Sequence, residues 1–109
     1  MSYNVSGTTI TLTRGDTFMA QVSITDADGN AYNPVEGDAI RFAMKKQYTD
    51  PEPLLIKQIP IDTMKLIIDP DDTKKLAFDT YKYDIELTKA SGDVDTFING
   101  RLKLTEEVY

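Results

Sequence analysis

The sequence predicts an all-β fold, an antiparallel β-sandwich of about seven strands with one short helical turn near residues 70–77. Apolar and polar residues alternate with a period of two along most of the chain, which is typical of strands with one buried face. Clusters of Gly, Asp, Asn and Pro separate these runs at short, regular intervals. The 109 residues suffice for a core, since a chain of this length buries roughly two-thirds of its unfolded surface.

Two predicted strands occupy the N-terminal part of the chain. The first, 8–13, alternates threonines with apolar residues, and the second is the run 18–25. Their expected inward residues are Ile10, Leu12, Phe18, Ala20, Val22 and Ile24. The segment 26–30 then combines Asp, Asn and a glycine that can adopt a positive φ, so we predict a hairpin turn there.

Three predicted strands follow, at 39–46, 54–59 and 64–68. The loop 48–53 contains two prolines, which cannot donate to a strand ladder and therefore mark a break or a sheet edge. The expected inward residues of the first and third runs are Ile40, Phe42, Met44, Met64, Leu66 and Ile68.

The last two predicted strands, 81–88 and 94–104, form a hairpin around the turn cluster Ser91, Gly92 and Asp93. The expected inward residues of the first run are Tyr81, Tyr83, Ile85 and Leu87.

One segment, 69–77, has the pattern of a short helix. Asp69 is suited to the N-cap and Pro70 to the first helical position, and acidic residues precede basic ones along the segment. We predict one to two turns that cross from one strand to the next. Leu76 and Phe78 would then close the end of the core.

Composition and charge exclude most kinds of site. The chain has 12 Lys and Arg against 18 Asp and Glu, a net charge of −6, and neither Cys nor His. Imidazole bases, thiolate nucleophiles and Cys or His metal ligands are therefore excluded. Nucleic-acid binding needs clustered basic residues, and the net negative charge argues against it. A membrane helix needs about 18 apolar residues in a row, and no stretch of the sequence approaches that length. We expect no enzymatic activity, no catalytic, cofactor-binding or metal-binding residue, no cofactor, and no nucleic-acid or membrane partner.

We expect residues 1–109 to form one domain, with 1–7 and 106–109 as mobile arms. The N-terminal residues have neither the basic region nor the apolar run of a signal peptide. We therefore expect the chain to be made in the cytoplasm.

Two loop motifs have both a functional and a structural interpretation. Arg14, Gly15 and Asp16 spell an adhesion tripeptide, but a turn between two strands also explains them. The segment 26–30 resembles the start of a calcium loop, yet the glycine and glutamate required later in an EF-hand loop are missing. A hairpin turn is favoured there, and calcium binding by Asp26 to Asn30 stays open.

The densest acidic cluster is Asp69, Asp71 and Asp72. Neighbouring carboxylates can act as acid and base or hold a divalent ion. Helix capping explains all three by position and is favoured.

The tyrosines also have two interpretations. Tyr81 and Tyr83 follow the predicted helix at the start of a strand, where a tyrosine often anchors a sandwich corner through its hydroxyl. Tyr32, Tyr48 and Tyr109 are candidates for an exposed carbohydrate-binding set, although they are scattered in sequence.

Three segments carry a resemblance to a known family. The segment 11–18 has an Arg-Gly-Asp turn before an aromatic strand start. It resembles small tail and baseplate-type domains of bacteriophages and prophages, as do the later segments 83–87 and 99–108 on either side of Gly92. The predicted hairpin at 26–30 also fits this family. The family includes the N-terminal domain of the upper baseplate protein. The resemblance covers roughly residues 8–108. It implies an Ig-like antiparallel β-sandwich with a structural role in the virion and no catalytic residues to transfer.

We therefore expect a non-enzymatic structural or adaptor protein of a phage or prophage particle, associated with the tail, baseplate or fibre. Its partners would be other virion proteins, with self-association as a further option, and its location would be the virion. The alternative is a carbohydrate- or surface-binding Ig-like module. The binding residues are not predicted.

Overall fold

The structure, a computed structural model, describes residues 3–6, 8–25 and 28–106. The elements in chain order are β1 (Tyr3–Ser6), β2 (Thr9–Thr13), β3 (Phe18–Gln21), β4 (Ile24–Thr25), β5 (Ala31–Tyr32), β6 (Ala39–Lys45), β7 (Leu55–Ile59), β8 (Lys65–Ile68), α1 (Pro70–Lys74), β9 (Asp79–Thr88) and β10 (Val94–Thr105). The all-β prediction is confirmed.

The described residues form ten strands, so the prediction of about seven was too low. The predicted run 18–25 is interrupted at Val22 and Ser23 and yields both β3 and β4. The short strands β1 and β5 account for the other two. Strand β1 lies inside the predicted N-terminal arm 1–7. Residues 1, 2, 7 and 107–109 of the two predicted arms lie outside the described residues. The mobility of the arms therefore stays a prediction.

A six-stranded sheet in the order β1-β2-β10-β9-β6-β7 forms one layer. Adjacent strands of this sheet are antiparallel, except that β2 and β10 are parallel. The prediction of an antiparallel sandwich was therefore wrong for this pair. In that pair Ile10 lies opposite Leu102, and Leu12 opposite Leu104. All four side chains are buried. Periodicity indicates which face is buried but not the direction of the neighbouring strand, which explains the error.

Strands β3 and β8 pair as a second, antiparallel layer, and β4 and β5 form a small separate pair. Gly15, at φ 85°, turns the chain from β2 in the first layer to β3 in the second. The segment 60–64 returns the chain from β7 to β8. Its last residue, Met64, has a φ of 54° and accepts a hydrogen bond from the Val22 amide at 2.7 Å. The segment 60–64 therefore connects the two layers on the side of β7 and β8.

One core lies between these layers. Its buried residues are Ile10, Leu12, Phe18, Val22, Ile24, Ile40, Phe42, Met44, Ile59, Leu66, Ile68, Tyr81, Tyr83, Ile85, Leu87, Leu102 and Leu104. Every predicted inward residue belongs to this core or, for Ala20 and Met64, packs partly buried against it. The predicted strand faces are therefore confirmed.

The helix prediction is confirmed in position and start. Asp69 is the N-cap, Pro70 begins the helix, and the Asp69 amide donates a hydrogen bond to the Asp72 carboxylate at 2.7 Å. Leu76 packs against the core as predicted. Phe78 is 44 % exposed, so its predicted role in the core was wrong. Its ring instead lies under the Arg14 guanidinium, 4.2 Å from the ring centroid.

Candidate interaction surfaces

Hydrogen bonds hold the Arg-Gly-Asp turn against β10 and against the region of the helix. The Arg14 amide donates to the Thr105 carbonyl at 3.0 Å, and Arg14 Nη1 donates to the Leu76 carbonyl at 3.2 Å. The Gly15 amide donates to the hydroxyl of the fully buried Thr73 at 2.8 Å. These bonds connect the turn to β10 and to the helix. They favour the structural interpretation of the tripeptide over presentation to a receptor.

Two of the three acidic residues at the helix, Asp69 and Asp72, form ion pairs with Lys57 of β7. Lys57 Nζ lies 3.0 Å from the Asp72 carboxylate and 3.3 Å from that of Asp69. The hydrogen bond to Asp72 is the main reason why the pKa of Lys57 is raised. Within residues 8–25 and 28–106, no group of three acidic side chains is arranged to hold a metal ion. Asp26 and residue 27 of the suggested calcium loop lie outside the described residues.

The two strand tyrosines anchor loops. The Tyr81 hydroxyl donates to the Ala77 carbonyl at 2.6 Å, which is the corner contact predicted from the sequence. The Tyr83 hydroxyl donates to the Thr8 carbonyl at 2.6 Å. Burial raises the pKa of both hydroxyls. Both residues are therefore packing groups.

The proposed carbohydrate-binding tyrosines do not form one cluster. Tyr32 donates its hydroxyl to Asp38 at 2.6 Å and contacts Lys89, whereas Tyr48 contacts Lys82. Lys82 lies within β9 and Lys89 directly follows its last residue, so the two lysines are about 23 Å apart along the chain at about 3.3 Å per strand residue. Tyr109 lies outside the described residues.

One side of the two-layer core is open. Among the described residues, β3 pairs only with β8, so its other edge has no strand neighbour. Beside that edge is a cavity of about 200 Å³. Its apolar lining comes from both layers and includes Ile10, Phe18, Ala20, Leu66, Ile85 and Ile98, with Thr8, Gln21 and Ser23 among its polar residues. We call this feature the open side.

A second concavity lies on the outer face of the six-stranded sheet. It has a volume of about 300 Å³ and is lined by Thr8, Thr9, Tyr48, Asn99, Gly100 and Arg101. We call it the Tyr48 cavity. The Tyr48 side chain is 62 % exposed, and its hydroxyl donates to Asn99 Oδ1 at 3.1 Å. Gly100 is required because an added Cβ would lie 2.2 Å from the Thr8 carbonyl oxygen.

Three cations line up across the same face. Lys45 of β6 lies opposite Lys82 of β9, and Lys82 lies opposite Arg101 of β10. We call these residues the cationic row. Like charges directly opposite one another destabilise a sheet, and this row occurs in a protein with a net charge of −6.

The sequence interpretation missed the cationic row because the hairpin register depends on a bulge. Val94 lies opposite Thr88, but between Thr96 and Ile98 the register shifts by one residue. Without that shift Lys82 would lie opposite Gly100. A bulge leaves only a weak trace in a single sequence.

No family model, no curated protein and no solved structure matches this chain. The helix in the described part of the chain is too short to cross a membrane.

Proposed function

We propose that this chain is a non-enzymatic structural or adaptor protein of a phage or prophage particle, associated with its tail, baseplate or fibre and built on an Ig-like β-sandwich. The proposal combines the sequence resemblance around 11–18 and 83–108 with two features of the fold and with the open side.

The strand order supports the Ig-like assignment. In Ig nomenclature, the order β10-β9-β6-β7 corresponds to G-F-C-C′, and the paired strands β3 and β8 correspond to B and E. The contact of Tyr81 with Ala77 lies at the junction before β9, where Ig domains have their tyrosine corner.

The open side is the observation that carries the adaptor role. In an Ig domain with strands A, B, E and D in one sheet, strand A lies beside strand B. Here β1 and β2 lie on the other layer, so in the described structure the place beside β3 has no strand. An exposed strand edge can accept an extended segment through main-chain hydrogen bonds, and adjacent pockets take its alternate side chains.

The lining of the open side indicates the chemistry of the occupant. Phe18 and Ala20 of β3, with Ile85 and Ile98 opposite, present apolar surface, and among the described residues that line the cavity none is charged. The occupant is therefore an extended, uncharged segment of a neighbouring virion protein, with apolar residues at alternate positions.

Mass spectrometry of density-purified particles from the source organism, after induction of any prophage, tests the virion role. The proposal expects this chain at a fixed stoichiometry to tail proteins. A chain that is expressed but remains in the soluble fraction would contradict it.

Carbohydrate binding is a second candidate function, and the exposed Tyr48 ring beside a polar cavity favours it. An aromatic face next to hydroxyl and amide groups can hold the apolar face of a sugar while bonding its hydroxyls. Saturable binding on a glycan array that is lost in Tyr48→Ala and kept in Tyr32→Ala would support this function. Binding lost equally in both variants would contradict it.

A further inference from the structure

We propose that the Tyr48 cavity binds an acidic saccharide unit, with the carboxylate of the sugar on Arg101 and its ring against Tyr48. The inference rests on the second candidate function, carbohydrate binding, and is independent of the virion role.

Arg101 provides the anion-binding group. Its side chain is exposed, and among the described residues its guanidinium makes no hydrogen bond or ion pair. The other described residues that line the cavity are neutral. The planar fork of a guanidinium matches a carboxylate bidentately, so an acidic ligand would meet an available partner there.

The cationic row increases the preference for an anion. Lys82 lies opposite Arg101 in the sheet, and its Nζ lies 5.7 Å from the centroid of the Tyr48 ring. Lys45 comes next in the row, although its Nζ already donates to the Asp50 carbonyl at 2.8 Å. Asp84 of the same face lies opposite Asn99, but it lines a separate concavity beside Tyr48 and not the Tyr48 cavity. A bound anion would relieve the repulsion within the row.

The remaining lining suits a sugar better than a simple ion. Thr9 contributes a hydroxyl and Asn99 an amide, which can exchange hydrogen bonds with sugar hydroxyls. The volume of about 300 Å³ is at the lower end of the range for small-molecule sites, about 300–1,000 Å³. It therefore fits a single monosaccharide unit of a longer chain. A site this small and open binds weakly, with an expected Kd of roughly 1 mM, and repeated copies would strengthen attachment through avidity.

The test is titration of the isotope-labelled full chain with sodium glucuronate, followed by amide chemical shifts in two-dimensional NMR. The expected result is saturable shifts at Thr9, Gly100 and Arg101, with neutral glucose at least about tenfold weaker because it lacks the charged contact. Rising salt should weaken glucuronate binding, since the site is exposed.

Two variants with the same change of charge separate a built site from general attraction. Arg101→Gln should abolish the glucuronate shifts. Lys103→Gln is the matched control, because Lys103 is exposed on the same strand and face but does not line the cavity. Retained binding in Lys103→Gln and lost binding in Arg101→Gln would support the proposal.

Three results would overturn it. Equal weakening of glucuronate binding in Arg101→Gln and Lys103→Gln would indicate general electrostatic attraction and not a built site. Equal binding of glucose and glucuronate would remove the acidic preference while leaving carbohydrate binding in place. No shift with either sugar, or tighter binding of a single-stranded oligonucleotide at the same amides, would remove the carbohydrate function as well.

Discussion

Replacement of Ile85 by alanine tests the packing of the core directly. Ile85 is 3 % exposed and lies on the inner face of β9, opposite Phe42 of β6. Ile85→Ala removes three carbon atoms, which at about 0.8 kcal/mol each amounts to about 2.4 kcal/mol of transfer free energy. Because Ile85 already borders the cavity of the open side, the additional cavity cost is small. We expect a loss of about 2–3 kcal/mol, in the lower half of the usual range for such truncations.

Urea unfolding followed by far-UV circular dichroism and tyrosine fluorescence provides the assay, since the chain has six Tyr and no Trp. In a thermal melt, the same loss should lower Tm by roughly 10–20 °C. The matched control is Ile56→Ala, the same chemical change at a side chain that is 47 % exposed; it should cost about 1 kcal/mol or less. If Ile85→Ala leaves the urea midpoint unchanged, the assigned face of β9 is inverted; if Ile56→Ala costs as much as Ile85→Ala, the exposed position assigned to Ile56 on β7 is wrong.

Four further predictions concern single contacts. Gly37→Ala should destabilise more than Gly92→Ala in thermal melts: both glycines have a positive φ, but only at position 37 would the new Cβ meet another side chain, at 2.8 Å. Equal losses would contradict this. Tyr81→Phe should cost about 1 kcal/mol in urea, because the carbonyl that accepts its hydroxyl loses a partner; an unchanged midpoint would show that the corner bond is dispensable. Hydrogen bonding, first to the Tyr32 hydroxyl, lowers the pKa of Asp38, so its stabilisation is present above the ordinary value of about 3.9 and lost as the pH falls through the lowered one. Asp38→Asn should therefore show a shallower loss of stability in acid, and an identical acid limb would refute this. Melting with calcium and with chelator should give the same Tm, whereas a rise of several degrees with calcium would show a site at 26–30.

The fold could be predicted from the sequence where local chemistry decides it. Alternation identified the buried faces of β2, β6 and β9, because a strand has only two faces. Asp69 and Pro70 determined the start of the helix, because the N-cap and first helical position have specific chemical requirements. Phe78 was misplaced because its environment depends on Arg14, 64 positions earlier in the sequence.

The candidate sites depend on contacts between distant segments and could not be predicted in the same way. The Tyr48 cavity requires Thr8 and Arg101 to meet across the parallel pair of β2 and β10, and the bulge before Ile98 to bring Arg101 opposite Lys82. The open side depends on which layer the first strands join. The alternation of apolar and polar residues in β2 is the same for both layers, because the strand buries one face whichever sheet it joins.

The most direct test of the proposed role fills the open side. Ala20 lines the cavity of about 200 Å³ and is partly buried, so Ala20→Leu adds three carbon atoms to that space. Met19→Leu is the control, because Met19 is on the same strand and 47 % exposed but does not line the cavity. The measurement is the stoichiometry of each variant in density-purified particles by mass spectrometry, after urea unfolding has shown that both variants fold. We expect Ala20→Leu to fall about tenfold or more below wild type, which needs only about 1.4 kcal/mol of lost binding free energy, and Met19→Leu to stay at the wild-type ratio. Folded Ala20→Leu at the wild-type ratio would contradict the proposal that the particle holds this protein through the open side.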